Sequence, residues 1–327
     1  MRVLMSNWQR ELSNGFGNVA DLLEFLEIDT SHGALDAQKQ FKTKVPQGFA
    51  MRMQKKCLED PLLKQVLASF DELIEDELFV DDPLQEKQYN PVPGLIHKYP
   101  HRVLLVLSGA CAVHCRYCFR RHFPYQENNP GKQGWQAIKD YLLENPQVSE
   151  LIFSGGDPLI LNNDYFQKFL AYIQDVPSIQ TIRIHSRIPI VLPSRIEPDW
   201  LKIWDDFSWK KVMVVHANHP QELDESVYQA VQLLKKNNWL VLNQSVLLKD
   251  VNNDLEVLVD LSQKLFSMGI LPYYLHLLDP VKGASHFQLE KQTALELYAR
   301  LQAHLPGYLV PKLVQEIPGK LHKTLVK

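Results

Sequence analysis

The sequence contains few cysteines, four among 327 residues, and this number is too small for a disulfide-stabilised scaffold. It favours a reducing, cytoplasmic environment. Charge of one sign is also scarce, because 35 Lys and Arg residues against 38 Asp and Glu residues leave a net charge of −3. No overall field therefore favours direct binding of nucleic acid or of a membrane surface. No apolar run is long enough to cross a bilayer, and the polar start lacks the apolar segment of a signal peptide.

The pattern of apolar residues and prolines divides the chain into three regions. Residues 1–90 predict a helical extension that ends in a proline-rich linker, DDPLQEKQYNPVPG. Within this extension, Asp60-Pro61 predicts the start of a helix because proline fits the first helical turn. Residues 91–305 predict an α/β core, and residues 306–327 predict a short C-terminal tail.

Six strand-like apolar runs alternate with segments of helical period in the core. The runs are Val103–Leu107, Leu151–Phe153, Thr181–Ile184, Val212–Val215, Leu240–Leu247 and Leu271–Leu278. One intervening helix is predicted over 222–236, and another starts with a capping-box-like Asn253–Glu256 and stops at Gly269. This alternation is typical of parallel βα units in a barrel-like or doubly wound sheet. In either fold, functional residues lie at the carboxyl ends of the strands.

Three of the four cysteines lie directly after the first of these runs. Cys111, Cys115 and Cys118 have the spacing C-x3-C-x2-C in GACAVHCRYCFRRHFPY. Three thiolates this close can hold one inorganic centre, and a four-iron cluster with three cysteine ligands keeps an open position for chemistry. Three arginines and two histidines in the same segment are expected to favour thiolates and to offset an anionic centre.

A structural zinc site is the competing interpretation of this loop. Zinc would need a fourth ligand to complete its tetrahedron, and His114 or His122 are the only nearby substitutes because Cys57 lies far away in the sequence. Such a protein would be a zinc-binding interaction module. The position after a strand favours iron, and Tyr117 makes the loop resemble the C-x3-C-x-φ-C signature of radical S-adenosylmethionine enzymes.

Glycines and polar residues follow the other strands. Ser154–Asp157 come after the second strand, where two glycines let the backbone approach a ligand closely. His185, Ser186 and Arg187 follow the third strand, and Gln244 lies in the fifth. A tight turn or hydrogen bonds to buried backbone would also explain these residues one by one. Their shared end of the sheet predicts that several of them line one cavity.

From about residue 90 to the end, the chain resembles the lysine 2,3-aminomutase family of radical S-adenosylmethionine enzymes. The segments that carry the resemblance are LIHKYPHRVLLV, CAVHCRYCFRRHF, FSGGDPL, RIHSRIPIVLPSRI, LNQSVLL, LPYYLHLLD and GYLVPKLV. The resemblance implies a partial (β/α)6 TIM-like barrel with a helical N-terminal extension. The short C-terminus and the CRYCFRRHFPY segment are most similar to the bacterial members that make (R)-β-lysine for modification of elongation factor P.

Three cofactors are implied by this resemblance. A [4Fe-4S] cluster on Cys111, Cys115 and Cys118 would reduce S-adenosylmethionine to a radical that takes a hydrogen from carbon 3 of L-lysine. Pyridoxal 5′-phosphate would then let the nitrogen migrate from carbon 2 to carbon 3. Gly155 and Gly156, with Ser154 and Asp157 beside them, match the segment that contacts the amino group of the methionine moiety.

Substrate and pyridoxal residues are also implied, position by position. Arg120 matches the arginine that binds the substrate carboxylate, and a surface arginine that neutralises the cluster is the alternative. Asp279 matches an aspartate that binds the side-chain ammonium, and a helix N-cap before Pro280 is the alternative. Tyr99 and Arg102 match positions near the pyridoxal phosphate group.

The tail EIPGKLHKTLVK should contain the lysine that binds pyridoxal phosphate. Lys323 aligns with it and Lys320 is the second choice, while a solvated, frayed tail is the alternative. The free-lysine aminomutases have a glycine run and an aspartate ahead of this lysine. Here Gly319 stands nearly alone and Glu316 takes the aspartate's place. The longer Glu316 carboxylate can still bind the substrate ammonium, but the depth of the pocket must change, so poor turnover of free lysine is expected.

The expected partners follow from the same resemblance. They are L-lysine, free or as a lysyl group of elongation factor P, a reductase that donates electrons, and other copies of the chain in an oligomer. The remaining rival among enzymes is a radical S-adenosylmethionine protein of other chemistry without pyridoxal phosphate.

Overall fold

The computed structural model describes residues 6–327, and one nine-stranded sheet organises them. The strands are β1 Leu95–Tyr99, β2 Arg102–Ser108, β3 Glu150–Gly155, β4 Thr181–Ser186, β5 Lys210–Val215, β6 Trp239–Val246, β7 Leu271–His276, β8 Lys312–Gln315 and β9 Thr324–Leu325. They follow one another in sequence order across the sheet. Strands β2 to β8 are parallel, and the two edge strands pair antiparallel to them. Parallel neighbours in sequence order are the arrangement of a partial barrel.

The six predicted strands correspond to β2 through β7, which confirms the predicted α/β barrel-like fold. Strand β1 was not predicted; it lies in the segment just ahead of the first predicted strand. Strands β8 and β9 have four and two residues, too few for a periodic signal. The C-terminal tail is therefore a hairpin on the edge of the sheet and not a frayed end.

The helices alternate with the parallel strands and cover the sheet. In the described residues they are α1 Asn7–Ser13, α2 Val19–Phe25, α3 Leu35–Gln40, α4 Gln47–Ala50, α5 Pro61–Lys64, α6 Trp135–Glu144, α7 Asn163–Ile173, α8 Ile188–Val191, α9 Pro198–Lys202, α10 Glu225–Lys236, α11 Leu255–Met268 and α12 Lys291–His304. Within residues 6–327, none of these combines the length and the apolar character that a membrane-spanning helix needs.

Local sequence signals explain where several helices begin and end. The side chain of Asp60 caps α5, as the Asp-Pro pair predicts, but the helix stops at Lys64. The N-cap of helix α11 is Asp254, one residue later than predicted. Its carboxylate accepts hydrogen bonds from the backbone N–H groups of Glu256 and Val257. Gly269 ends α11 with a φ of +86°, a left-handed conformation that glycine adopts readily.

The N-terminal residues pack onto the barrel and do not form a core of their own. Trp8, Leu22 and Phe49 are buried in the same hydrophobic core as Leu151 and Phe153 of β3. The helices in this region have four to seven residues, so they depend on this packing for their stability. This arrangement brings residues 40–90 against the carboxyl ends of the strands.

Candidate active site

A cavity of about 760 Å³ opens at the carboxyl ends of the parallel strands. Its walls include every residue for which the sequence predicts a role in chemistry or binding: Tyr99, Arg102, Cys111, Cys115, Cys118, Arg120, Ser154, Gly155, Gly156, Asp157, His185, Ser186, Arg187, Gln244, Asp279, Glu316 and Lys323. The alternative lysine, Lys320, is exposed and does not line it. The volume lies in the ordinary range for sites that bind cofactors and small molecules.

The three cysteines lie together in the loop that follows β2. Arg187 donates a hydrogen bond from Nη1 to Sγ of Cys115 at 2.7 Å. Burial raises the pKa of Cys111, with a further contribution from the other two thiols, and burial raises the pKa of Cys118 to about 11. In residues 6–327, no three His, Cys, Asp or Glu side chains already converge as a metal site. The protein therefore gathers three thiols on one wall, and burial keeps at least two of them protonated.

The arginines of the cysteine loop are paired with acidic residues of the N-terminal region, and Arg120 and Arg121 still act to lower the pKa of Cys118 against the effect of burial. Glu72 accepts hydrogen bonds from Nη2 of Arg116 at 2.6 Å and from Nη2 of Arg121 at 2.7 Å. The exposure of all three side chains is at most 1%. Arg120 is held in the same way by Glu86. Residues 70–90 thus neutralise the loop and fix it against the barrel.

Two adjacent glycines allow the end of β3 to approach the cysteine loop. Gly155 has a φ of +118°, and a Cβ atom there would lie 2.4 Å from the carbonyl oxygen of Ser108. A Cβ atom on Gly156 would lie 2.4 Å from the carbonyl oxygen of Ala110. No other residue type fits at either position, so the glycines are required by close backbone contact, whatever they bind.

Asp157 connects the ends of β3 and β4. Its carboxylate accepts hydrogen bonds from the hydroxyl of Ser186 at 2.7 Å and from the backbone N–H groups of Arg187 and Leu159 at 2.8 and 3.0 Å. Burial raises the pKa of Asp157 to about 6, although these hydrogen bonds act in the opposite direction. The Asp157 carboxylate and the Ser186 hydroxyl are therefore occupied by protein partners.

Arg187 links the cysteine loop to the opposite wall. Besides its contact with Cys115, it donates from Nη2 to Oε1 of Gln65 at 2.6 Å and to Oε2 of Glu222 at 3.1 Å. The Arg187 and Glu222 side chains are 5% and 0% exposed, so the pair is out of water. A buried guanidinium at a sulfur ligand offsets part of the charge that an anionic cluster would bring.

Several buried polar atoms of the cavity wall have no partner within the described residues. They include Nε2 of His185, Oε1 of Gln244, Nε2 of His276 and Oδ1 of Asp279, together with Nε of Arg121, Arg183 and Arg187. Gln244 and His216 are 2.9 Å apart through their Nε2 atoms. Burial lowers the pKa of His185, His216 and His276, to about 3 for His216, so these rings are neutral at pH 7. A buried polar atom without a partner lowers the stability of the fold unless a ligand or water completes its hydrogen bonds.

The C-terminal hairpin carries Lys323 into the far end of the cavity. Strands β8 and β9 pair antiparallel, and the turn between them is closed by a hydrogen bond from the N–H of Lys320 to the carbonyl of Ile317 at 3.2 Å. Gly319, with a φ of +81°, follows Pro318 in this turn, as a type II turn requires. The glycine thus has a structural role in the hairpin that fixes Lys323.

Glu316 is surrounded by hydrogen-bond donors. Its Oε2 lies 2.6 Å from Nζ of Lys323, and its Oε1 accepts from Nζ of Lys98 at 2.9 Å and from the hydroxyl of Tyr99 at 2.5 Å. These donors hold the pKa of Glu316 well below its usual range, although burial opposes them. The guanidinium of Arg102 stacks 4.2 Å from the centre of the Tyr99 ring. Cations therefore concentrate around Lys323.

Asp279 lies beyond the end of β7, between Lys323 and the cysteine loop along the cavity wall. No helix starts at Pro280, so the N-cap alternative does not apply. Burial raises the pKa of Asp279 to about 7, since the Lys323 charge does not outweigh the loss of water. Its unpartnered Oδ1 makes it an acceptor available to a cationic ligand.

The residues present fit the groups that the family resemblance implies. Three thiols share one wall, as an iron–sulfur cluster needs. Lys323 provides a primary amine that suits an aldehyde, and the neighbouring cations of Lys98 and Arg102 suit a phosphate group. The unpartnered atoms between these two ends provide donors and acceptors for polar ligands. Fold and site together define an α/β barrel protein built around a three-cysteine iron–sulfur loop.

Comparisons with known proteins agree with this class. Residues 100–186 match the family described as a 4Fe-4S single cluster domain. L-lysine 2,3-aminomutase of Haemophilus influenzae is 45% identical over 98% of this chain and 95% of its own length. The corresponding proteins of Escherichia coli and Clostridium subterminale are 44% and 32% identical, over 97% and 98% of this chain and 94% and 78% of their own lengths. The chain belongs to the L-lysine 2,3-aminomutase family.

The cofactor set of this family is a [4Fe-4S] cluster, S-adenosylmethionine and pyridoxal phosphate. Among solved structures, native anSMEcpe with bound AdoMet is similar with a TM-score of 0.46 and 14% identity, over 61% of this chain and 58% of that chain.

Several residues of the site were not identified from the sequence, among them Gln65, Glu72, Glu86, Lys98 and His276. Gln65 and Glu72 lie in a region that shows only helical periodicity, and Glu86 lies in the proline-rich linker, so no local pattern connects them with the barrel. His276 could have been found, because it alternates with Tyr274 on the cavity side of β7 while Leu275 is buried between them.

Proposed function

We propose that this protein is an isomerase that converts L-α-lysine to (R)-β-lysine by a radical mechanism. Family membership over nearly the whole chain supports this activity. The observation that carries it is that the three thiols and Lys323 line one cavity, with unpartnered polar atoms between them. When bound, the cluster and S-adenosylmethionine supply the radical that removes a hydrogen, and pyridoxal phosphate stabilises the radical while nitrogen moves.

We assign the metal and nucleoside end of the cavity to the cysteine loop and the neighbouring strand ends. Cys111, Cys115 and Cys118 bind three irons and leave the fourth open. The backbone of Ser154–Gly156 would face the amino group of S-adenosylmethionine, because this segment lines the cavity beside the cysteine loop. His185 and Gln244 each offer one unpartnered polar atom to the same ligand, and Arg187 holds Cys115.

Asp157 and Ser186 contribute to binding of S-adenosylmethionine indirectly, because their side chains hold the backbone of the site in place. Their mutual hydrogen bond and the three backbone N–H groups bound by Asp157 keep the ends of β3 and β4 in register. They fix the shape of the site, and their side chains have few donors or acceptors left for a ligand.

We assign the opposite end of the cavity to pyridoxal phosphate. Lys323 would hold the aldehyde of the cofactor, and Arg102 with Tyr99 would hold its phosphate. Glu316 orients Lys323 at 2.6 Å and balances its charge. The same carboxylate already accepts from Lys98 and Tyr99, so it has little capacity left for a substrate ammonium.

L-lysine then lies between the two ends. Arg120 binds the substrate carboxylate, and Asp279 binds the side-chain ammonium through its free oxygen. With its two charged termini held, carbon 3 of the substrate is placed between the cysteine loop and Lys323. The depth of the cavity keeps water from the radical.

The cellular role that we propose is the supply of β-lysine for modification of elongation factor P. The short C-terminus and the CRYCFRRHFPY segment support it. A lysyl group of elongation factor P is the alternative form of the substrate. A cytoplasmic reductase supplies the electron to the cluster, and association of copies into an oligomer is part of the same proposal.

Turnover tests the proposal directly. The reconstituted protein is incubated anaerobically with S-adenosylmethionine, reductant and L-lysine, and we expect β-lysine and 5′-deoxyadenosine. Product from a lysyl group of elongation factor P without product from free lysine would overturn the free-amino-acid route alone. Borohydride reduction that leaves Lys323 unmodified would favour other radical chemistry, and stoichiometric zinc without iron would favour a zinc module.

A further inference from the structure

Glu86 comes from the N-terminal region and lies inside the cavity. It begins the 3-10 turn Glu86–Tyr89, and its backbone N–H is held by the Asp82 carboxylate at 3.1 Å. The Glu86 side chain is 9% exposed and lines the same wall as Arg120 and Ser154. Because both its ends are held, the carboxylate has a fixed position relative to the barrel.

The contact between Glu86 and Arg120 is a two-bond fork. Nε of Arg120 donates to Oε2 of Glu86 at 2.7 Å, and Nη2 donates to Oε1 at 2.6 Å. Nη1 donates to the hydroxyl of Ser154 at 3.1 Å. The rings of Phe119 and Phe123 lie 4.9 and 5.8 Å from the guanidinium carbon. These hydrogen bonds and aromatic contacts together fix the orientation of the Arg120 guanidinium.

A guanidinium has five N–H donors, and the partners above use three of them. One N–H on Nη1 and one on Nη2 remain without an acceptor in the described residues. Arg120 itself lines the cavity. A rotation of the guanidinium would exchange these free donors for those held by Glu86, so the Glu86 contact decides which donors a ligand meets.

We propose that Glu86 is a positioning residue for substrate recognition: it fixes Arg120 so that its two remaining N–H donors meet the substrate carboxylate. This inference rests on the proposed function, in which Arg120 binds that carboxylate. Glu86 is not itself in contact with substrate. Its position also explains why residues from the N-terminal region reach into the barrel, since no strand end provides this carboxylate.

The charge balance gives the interaction a second effect. The Glu86–Arg120 pair is neutral as a whole, so a carboxylate gains attraction only through directed hydrogen bonds and not through an isolated positive charge. Ligands without a carboxylate should therefore be indifferent to Glu86. Selection of the amino acid over a derivative that lacks the carboxylate depends on this alignment.

The test compares binding of L-lysine and L-lysinamide, which keeps both amino groups but lacks the carboxylate. Holoenzyme with cluster, pyridoxal phosphate and S-adenosylmethionine is used without reductant, so that equilibrium dialysis measures affinity without turnover. Glu86→Gln should weaken L-lysine binding roughly tenfold, the effect of about one charged hydrogen bond, and leave lysinamide binding unchanged. Glu77→Gln, an exposed glutamate of the same region, should change neither.

Each other outcome overturns the proposal in a recognisable way. Equal weakening of both ligands in Glu86→Gln means a general structural role, and unchanged L-lysine binding means that Glu86 does not act on Arg120. Should Glu86→Gln lose iron, Glu86→Asp keeps the charge on a shorter side chain, and it should weaken L-lysine alone by a smaller factor. A wild-type protein that binds neither ligand would refute the proposed function itself.

Discussion

The cysteine end of the cavity and its middle differ in how far the protein satisfies their polar side chains. At the cysteine end, the acidic and amide side chains of residues 65–86 hold all four arginines around the thiols. Between that end and Lys323, His185, Gln244, His276 and Asp279 each keep a buried polar atom without a protein partner. Both sets are buried, so exposure to water does not explain the difference.

This contrast separates parts of the site that the protein completes from parts that a ligand must complete. A buried guanidinium without a carboxylate would cost several kcal/mol, and the N-terminal region removes that cost before any cofactor binds. Unpartnered histidine and aspartate atoms keep their cost until a polar ligand arrives. The cysteine end is therefore built for rigidity, and the middle of the cavity for exchange of ligands.

The largest effect is expected from loss of one cluster ligand. Cys115→Ala leaves two thiols and should abolish iron retention, β-lysine and 5′-deoxyadenosine together. Iron analysis and product assays check this. Cys57→Ala, which lies outside the cavity lining, should keep iron and activity. Full iron content in Cys115→Ala would show that the three-thiol site is wrong.

Loss of the cavity lysine should separate the two ends of the site. Lys323→Ala removes the amine that faces Glu316 but leaves the cysteine loop intact, so iron content should stay at the wild-type level. Lysine rearrangement should fall on the order of 100-fold or more, because the reacting groups are no longer held in position. Lys320→Ala is the matched control on the same hairpin. Unchanged β-lysine formation in Lys323→Ala would refute the lysine assignment.

Substitution of Glu72 should destabilise the cysteine end of the cavity. Glu72→Gln leaves Arg116 and Arg121 buried without a carboxylate, and we expect a loss of about 3 kcal/mol in the free energy of unfolding. Anaerobic urea denaturation measures it. Glu77→Gln, at an exposed position, should stay within about 0.5 kcal/mol of wild type. A loss below about 1 kcal/mol in Glu72→Gln would mean that this ion-pair network contributes little.

The smallest expected effect concerns pH and the ligand-binding middle of the cavity. Burial raises the pKa of Asp279 to about 7, and only the ionised carboxylate attracts the substrate ammonium. L-lysine binding should therefore weaken as the pH falls through about 7. Asp279→Asn should bind L-lysine roughly tenfold more weakly and lose that pH dependence, since its amide does not titrate in this range. Equilibrium dialysis across pH 6 to 8 decides, and an unchanged pH profile in the variant contradicts the assignment.

Much of this architecture follows from local patterns in the sequence. The six apolar runs predict β2 to β7, because buried parallel strands have few polar residues. The cysteine spacing after the first of them identifies the cluster loop. Gly155 and Gly156 were also identified, although the structural reason, contact with the carbonyls of Ser108 and Ala110, depends on how two distant segments meet.

What the sequence could not provide is the pairing of side chains over long separations. The contact of Glu72 with Arg116 and that of Glu86 with Arg120 join residues 44 and 34 positions apart. Neither the helical periodicity around Glu72 nor the proline-rich linker around Glu86 shows which acidic residue faces the barrel. The hairpin that fixes Lys323 escaped for another reason, since β9 has only two residues.

The central claim, that the cysteine end and the Lys323 end act on one substrate in one cavity, is tested most directly by isotope transfer. The reconstituted protein is incubated with S-adenosylmethionine, reductant and L-lysine carrying deuterium on carbon 3. We predict that deuterium appears in 5′-deoxyadenosine and that β-lysine is formed in the same incubation. Unlabelled 5′-deoxyadenosine formed at the same rate with and without L-lysine would contradict the account.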